Sequence, residues 1–457
     1  MSLQTISPAT GDLVRTYRAM TKQEVETIIA EANTAFGDWR RHELSLRADR
    51  MRAMAVLLRS RASRLAQLIA EEMGKPVAQG TAELQKCAWV CEFYADHASE
   101  FLMPEPVETD ALRSYVTFQP LGLVLAVMPW NYPFWQVFRC AAPILMAGNG
   151  CVLKHASNVC GCALAIEALF VEAGFPENLF RTILLPGPEL PATVGNPLIA
   201  AVTLTGSGPA GASVAGLAGR ALKKTVLELG GSDPYIILQD ADVRVAAELS
   251  VKSRLTNAGQ SCIAAKRFIV VEALRRDFER LFVELMNSTR MGDPRSEQTE
   301  VGPLARKDLR DDIHRQVQQS VACGATCLAG GELPAGQGYF YPPTVLTDVA
   351  RGMPAFDEEL FGPVGAIVPV QTETEAIAAA NDTPFGLGAA VFTRDTVRGE
   401  RIAAQELRAG CCFVNDYVRS DPRLPFGGIK GSGFGRELSR YGMMEFVNTK
   451  TVYVGKA

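Results

Sequence analysis

No apolar run in the chain approaches the roughly 20 residues that a membrane-spanning helix needs, so the sequence predicts no membrane segment. The opening MSLQTISPATGD has no basic stretch followed by an apolar one, so no export signal is expected. Histidine is scarce, with only His42, His97, His155 and His314, none of them clustered. The eleven cysteines include Cys87/Cys91, Cys160/Cys162, Cys323/Cys327 and Cys411/Cys412, but no pair has the CxxC spacing of a zinc site. No metal is expected. Without an export signal they read as reduced thiols of a cytoplasmic protein, not as a disulfide framework. An excess of positive charge is also missing: the net charge is −4 and the pI about 5.8, which argues against nucleic acid as a partner. Internal repeats and low-complexity tracts are absent.

What remains is the composition of a globular protein, 47% hydrophobic and 21% charged. At 457 residues it is too long for one ordinary core. Thr21-Lys22-Gln23-Glu24 has the form of a capping box, and Val25, Ile28, Ile29 and Ala32 follow at helical spacing. A second, longer helix is expected through RADRMRAMAVLLRSRASRLAQLIAEEMG, with Met54, Leu57, Leu58, Leu65, Leu68 and Ile69 as its stripe and Gly74 and Pro76 as its stop. Short apolar runs then alternate with helical ones: GLVLAVMP, GCVLK, ALAIEALFVEAG, AAVTLTG, a helix from Pro209, and PYIIL. The rhythm resumes with RFIVV, FERLFVELMNSTR, AIVPV, GAAVFT and CCFVN. This βα alternation predicts an α/β protein with mostly parallel sheets in two domains. LRSYVTFQP and the tail FVNTKTVYVGKA read as strands outside that rhythm.

Gly206-Ser207-Gly208-Pro209-Ala210-Gly211 satisfies GxGxxG, follows a strand pattern and opens a helix, the context for a dinucleotide pyrophosphate. Glu228 stands at the distance where an acid holds the adenosine ribose. The glycines behind it, Gly230 and Gly231, favour a tight turn that places Glu228 in a cleft between domains as a general base instead. Within NAGQSCIAAKR, Cys262 is either a structural thiol or a nucleophile. A free thiol is only a few per cent ionised at neutral pH. Lys266 and Arg267, and a helix expected to begin just after Cys262, are the candidate activators.

NAGQSCIAAKR, LELGGSDP, MPWNYPFWQ, VLKHAS, EELFGPV and LPFGGIKGSGFGRE together resemble the motif series of the NAD(P)-dependent aldehyde dehydrogenase superfamily, across nearly the whole chain. The resemblance implies a Rossmann-type cofactor domain (1–101 and 121–230), an α/β catalytic domain (231–430), and strands at 102–120 and 445–457 that build a homodimer or homotetramer. It implies that Cys262 attacks the aldehyde, that Asn131 and the Cys262 N–H hold the oxyanion, and that Glu228 activates water. For the cofactor it implies Lys154 and Glu359 at the two riboses and Trp130 with Ser207, in the loop that Gly206 opens, at the pyrophosphate. Many NAD-preferring relatives carry an acid where this chain has Ser157, so NADP is expected to be accepted beside NAD, with His155 adding charge; a helix-cap role for Ser157 is compatible with this.

Arg139 lies eight residues beyond Asn131 and, on a continuous helix, would share its face. A guanidinium there suggests a distal carboxylate on the substrate, and the region is similar to succinate-semialdehyde dehydrogenases, as is Ser420, with Arg423 adding charge at the tunnel mouth. The second arginine of many such enzymes is replaced by Thr256, and Arg254 is no simple substitute. The alternative is that Arg139 pairs with a buried acid; the substrate would then be a broad or aromatic aldehyde, favoured by Phe134 and Trp135. A catalytically silent protein of the same fold is the remaining class, and retention of Cys262, Glu228 and Asn131 weighs against it.

Overall fold

The computed structural model describes residues 2–456, so Met1 and Ala457, the outermost residues of the first and last expected segments, lie outside it. The opening segment, read only for its lack of a signal, forms an antiparallel hairpin of Ser2–Ile6 and Leu13–Arg18. The capping box then starts the helix Lys22–Trp39, with the Glu24 N–H donating to Thr21 Oγ1 at 3.2 Å and the Thr21 N–H to Glu24 Oε2 at 2.7 Å. Val25, Ile28, Ile29, Ala32 and Phe36 bury one face of it.

The long amphipathic stretch differs from expectation. It breaks at Arg61 (φ −100°, ψ 2°) into Leu44–Ser60 and Ala62–Met73. The stripe continues across the break because Met54, Leu58, Leu65 and Ile69 all reach the core. Gly74 ends the second helix at φ 80°, and a Cβ there would lie 2.8 Å from Pro303 Cγ. Pro76 then caps the start of the 25-residue helix Val77–Phe101, which the sequence reading passed over. Leu84, Cys87, Ala88, Val90, Cys91 and Tyr94 bury that helix.

Two mainly parallel sheets follow. The first has six strands in the order Gly433–Phe434, Lys224–Glu228, Ile199–Thr205, Leu123–Met128, Gly150–His155 and Phe180–Thr182. Only the short Gly433–Phe434 strand is antiparallel, pairing Gly433 with Glu228. The second has seven: Thr326–Ala329, Thr344–Thr347, Val364–Val370, Arg267–Val271, Pro234–Ile237, Gly388–Phe392 and Cys411–Val414. The inner strands are continuous apolar runs because helices cover both faces, the pattern of buried parallel sheets. A separate three-stranded sheet joins Glu105–Pro106, Arg113–Pro120 and Val447–Val454, so the two strands that stood outside the βα rhythm pair with each other antiparallel. The chain is thus α/β. Among the described residues no helix is long and apolar enough to cross a membrane.

Candidate active site

In open parallel sheets, ligands bind where loops leave the carboxyl ends of the strands. Asn131 follows the strand Leu123–Met128, His155 ends Gly150–His155, and Glu228 ends Lys224–Glu228. Cys262 sits in the loop that leads into Arg267–Val271 in the other sheet.

The approach to Cys262 is strained. Asn257, Ala258 and Gly259 have φ of 54°, 53° and 75°, a left-handed run that two non-glycine residues adopt only at a cost. Surrounding contacts hold it there. The Asn257 N–H donates to Gln79 Oε1 at 2.8 Å, and its amide donates to Asn131 O at 2.8 Å and Gln260 O at 3.1 Å. Arg254, wholly buried, donates to Gly259 O at 2.6 Å, which explains why it is no substitute for a substrate-facing arginine. A Cβ on Gly259 would collide with Gly362 O.

No helix begins after Cys262; the residues turn and enter a strand, so the expected helix-dipole activation is absent. Lys266 lies close instead, donating to Cys262 O at 2.7 Å and Ser261 O at 3.0 Å. Arg267 points elsewhere, onto Ser232 O, Ala379 O and Ala380 O. Burial pushes the Cys262 thiol up to about 12, against the opposing pull of Arg139 and Lys266.

Asn131 is buried, with Nδ2 donating to Gln260 O at 3.0 Å and Oδ1 accepting from Gln136 Nε2 at 3.0 Å. One amide hydrogen is therefore still available for a substrate oxygen. His155 locks this loop. Its Nε2 is 2.8 Å from Pro133 O, and its Nδ1 accepts from the Ala156 N–H at 3.0 Å. Burial lowers the imidazole to about 4, so it is neutral and brings no charge to a cofactor phosphate, contrary to expectation.

Glu228 is buried, and neither carboxyl oxygen has a hydrogen-bond partner. Burial, then Glu437, raise it well above the carboxylate range, while Arg139 and Arg436 pull it down. A Cβ on Gly427 would lie 2.6 Å from Glu228 Oε1. An unpartnered buried carboxyl is expensive and marks a functional group more often than a structural one.

The residues expected at a dinucleotide are spread along the strand ends of the first sheet and the facing loop. Lys154 is partly buried, which lowers its pKa. Ser157 opens the short 3₁₀ turn Ser157–Val159, but Ala156 is its cap and Val159 caps the next helix; the Ser157 side chain caps neither, so the helix-cap reading fails. Ser207 precedes the helix Gly208–Arg220, and its hydroxyl also makes no cap. Of the three loop glycines only Gly211 is demanded by packing, since its Cβ would lie 2.6 Å from Leu229 Cδ2; a Cβ on Gly206 would make an ordinary contact with Leu204 Cδ2 at 3.6 Å, and Gly208 faces open space. Trp130 stands edge-on to Phe361, with ring centroids 5.9 Å apart. Glu359, two residues before Phe361, accepts from the Gly231 N–H at 3.0 Å and lies 3.5 Å from Lys266 Nζ. Gly230 has no room for a Cβ beside the Glu359 carboxylate.

A cavity of about 780 Å³ opens over Cys262, with Tyr132, Trp135, Arg139, Ser420 and Phe426 in its wall. The helix carrying Arg139 spans Trp135–Met146, so Asn131 lies outside it and the shared-face argument fails. Arg139 is not a free guanidinium. It forms a buried ion pair with Glu437, donates to Thr205 Oγ1 at 3.1 Å and lies over the Phe426 ring at 4.8 Å, which is the buried-acid alternative. Arg423 is paired with Asp421 at 2.7 Å, so its charge is not free for the mouth. Ser420 accepts a hydrogen bond at 2.7 Å from Lys86 Nζ, a residue the sequence reading missed. The available signal was a lysine on the buried side of a helical pattern beside Leu84, Cys87 and Ala88.

Known proteins resemble this chain over nearly its full length. The model of the aldehyde dehydrogenase family matches residues 1–452. A probable NADP(+) succinate-semialdehyde dehydrogenase of Synechocystis sp. is 49% identical over 454 residues, covering 99% of this chain and 100% of the relative. The NAD(P)+ succinate semialdehyde dehydrogenase of Escherichia coli strain K12 is 46% identical over 448 residues, 98% of this chain and 97% of that one. Among solved structures, the succinic semialdehyde dehydrogenase of Streptococcus pyogenes in complex with NADP+ superposes with a TM-score of 0.97 at 37% identity, covering 99% of this chain and 100% of the other. With that model matching almost its full length, this chain belongs to the aldehyde dehydrogenase family.

Proposed function

We propose that the protein oxidises an aldehyde carrying a distal carboxylate, succinate semialdehyde to succinate, with NADP+ or NAD+ as hydride acceptor. The observation that carries the reaction type is the unpartnered buried carboxyl of Glu228, which shares Arg139 as a neighbouring cation with the Cys262 thiol. The names of the relatives support the substrate. The residues present fit a dinucleotide: the Ser157 and Ser207 side chains cap no helix, Glu359 has hydrogen-bonding capacity to spare, and the helix Gly208–Arg220 offers a positive end. Lys154, Trp130, Ser207 and Glu359 would hold it, with residues around Gly206 at the pyrophosphate. When bound, the nicotinamide accepts a hydride.

The chain's own groups do the rest. Cys262 gives its proton to solvent water, and sulfur bonds to the aldehyde carbon while the C=O π pair moves to oxygen. Asn131 Nδ2–H and the Cys262 N–H hold that oxyanion, a contribution of about 3–4 kcal/mol for one such donor. Loss of hydride from carbon re-forms C=O and leaves a thioester. Glu228 then takes a proton from water, whose oxygen attacks the acyl carbon, and the Cys262 thiolate leaves. Aldehyde, NAD(P)+ and water become carboxylate, NAD(P)H and two protons. Burial favours the protonated form of Glu228, and Arg139 and Arg436 are the groups that pull it towards ionisation.

Glu228→Gln tests the assignment. One equivalent of NAD(P)H per active site should appear in a burst, followed by turnover slowed roughly 10²- to 10⁴-fold and an acylated Cys262 visible by mass spectrometry. Undiminished steady turnover would remove Glu228 from the role.

The segments 1–101 with 121–230 and 231–430 act in this reading as cofactor and catalytic domains, in the cytoplasm. The strands within 102–120 and 445–457 join two copies of the chain into a homodimer, or further into a homotetramer. An uncharged or aromatic aldehyde is the second reading, favoured by Tyr132, Trp135 and Phe426 in the cavity wall.

A further inference from the structure

Four cationic side chains line the cavity over Cys262, and they differ in what already neutralises them. Arg139 is ion-paired with Glu437. Arg419 is paired with Asp416 at 2.6 Å. Lys252 is exposed, its ammonium 4.9 Å from the Tyr417 ring centroid. Lys86 is half-buried, and its ammonium meets neutral groups: Ser420 Oγ at 2.7 Å and the face of Trp135, 4.4 Å from the ring centroid. Nearby carboxylates are committed elsewhere. Glu83, one turn back on the same helix, accepts from the Phe134 and Trp135 N–H groups at 2.9 Å each and pairs with Lys75. Asp421 is paired with Arg423.

We propose that Lys86, held by Ser420 over Trp135, is the residue that recognises the distal carboxylate of the substrate. An ammonium has three donors. With one on Ser420 and the ring face a weak acceptor, an anion entering the cavity is its missing partner. Ser420 accepts from Lys86, so its own O–H remains free to donate to the same carboxylate. Burial lowers Lys86 to about 8, with Arg139 acting in the same sense and Cys87, Asp421 and Glu83 against it. A partly buried cation short of counter-charge gains from a bound anion. The inference rests on the carboxylated-aldehyde reading and names the recognition group within it.

The readout is the ratio of kcat/KM for succinate semialdehyde to that for butyraldehyde, in which ionisations shared by both substrates, such as those of Cys262 and Glu228, cancel. Lys86→Met keeps the apolar stem and should lower the ratio roughly 10- to 100-fold, chiefly through KM, as expected for a lost charge-assisted bond. Ser420→Ala should lower it less, and Lys252→Met, at the exposed lysine, should leave it unchanged. In the wild type the ratio should fall as pH rises from about 7 to 9.5, and this fall should vanish in Lys86→Met. If Lys86→Met does not fold, Ser420→Ala and the wild-type pH profile still decide. A high wild-type ratio that Lys86→Met retains, or one flat with pH, overturns the role of Lys86 alone. A wild-type ratio near one overturns the carboxylated-aldehyde reading beneath it.

Discussion

At Cys262 burial holds the proton on sulfur while Arg139 and Lys266 work to release it, so the thiol of the free protein is mostly unionised. Arg139 serves two groups at once, since its charge bears on both Cys262 and Glu228 while its guanidinium is tied to Glu437. Removing it would leave Glu437 without its ion-pair partner and Glu228 with Arg436 alone, so Arg139→Ala disturbs more than substrate recognition. At Ser157 the case is simpler, because the side chain caps nothing and no structural duty obscures it. Ser157→Glu should lower kcat/KM for NADP+ by roughly 100-fold, a like-charge clash of about 3 kcal/mol, while NAD+ kinetics change little. Equal losses with both coenzymes, measured under saturating aldehyde, would place Ser157 away from the 2′-phosphate.

At the scale of elements, the strand Val447–Val454 has a partner on one side only, Arg113–Pro120, and its other edge lies open over eight residues. Native proteins seldom leave such an edge uncovered. Light scattering should therefore give a particle of two or four times 49.4 kDa, and truncation after Phe446 should give the monomer; a wild-type monomer contradicts the proposed assembly. These two strands were legible because each alternates without a helix to follow. The capping box at Thr21 was legible too, since both of its hydrogen bonds are local. The break at Arg61 was not, because the apolar stripe continues unbroken across it. The helix Val77–Phe101 was passed over although it buries its cysteines and alanines in the core. The helix expected after Cys262 failed for another reason: the pull of the strand Arg267–Val271, paired on both sides, decides the backbone there.

At the scale of the whole molecule, the fold brings together groups that the chain keeps far apart, as Asn131 and Asn257 show. Asn131, Glu228, Cys262 and Glu359 were legible because each lies in a short motif whose neighbours are also needed locally: Gly230 makes room for Glu359, and Asn257 donates to Asn131 O. Lys86 and the Arg139–Glu437 pair were hidden, since their partners are brought close only by the fold. Lys86 and Ser420 are 334 residues apart in the chain. Carboxylate recognition is therefore the claim that depends most on the assembled molecule. Its most direct test is kcat/KM for succinate semialdehyde, butyraldehyde and benzaldehyde with NADP+ and with NAD+ on the wild-type protein. The account predicts that succinate semialdehyde exceeds both uncharged aldehydes by about tenfold or more, with NADP+ accepted; uncharged aldehydes turned over as efficiently as the carboxylated one would contradict it.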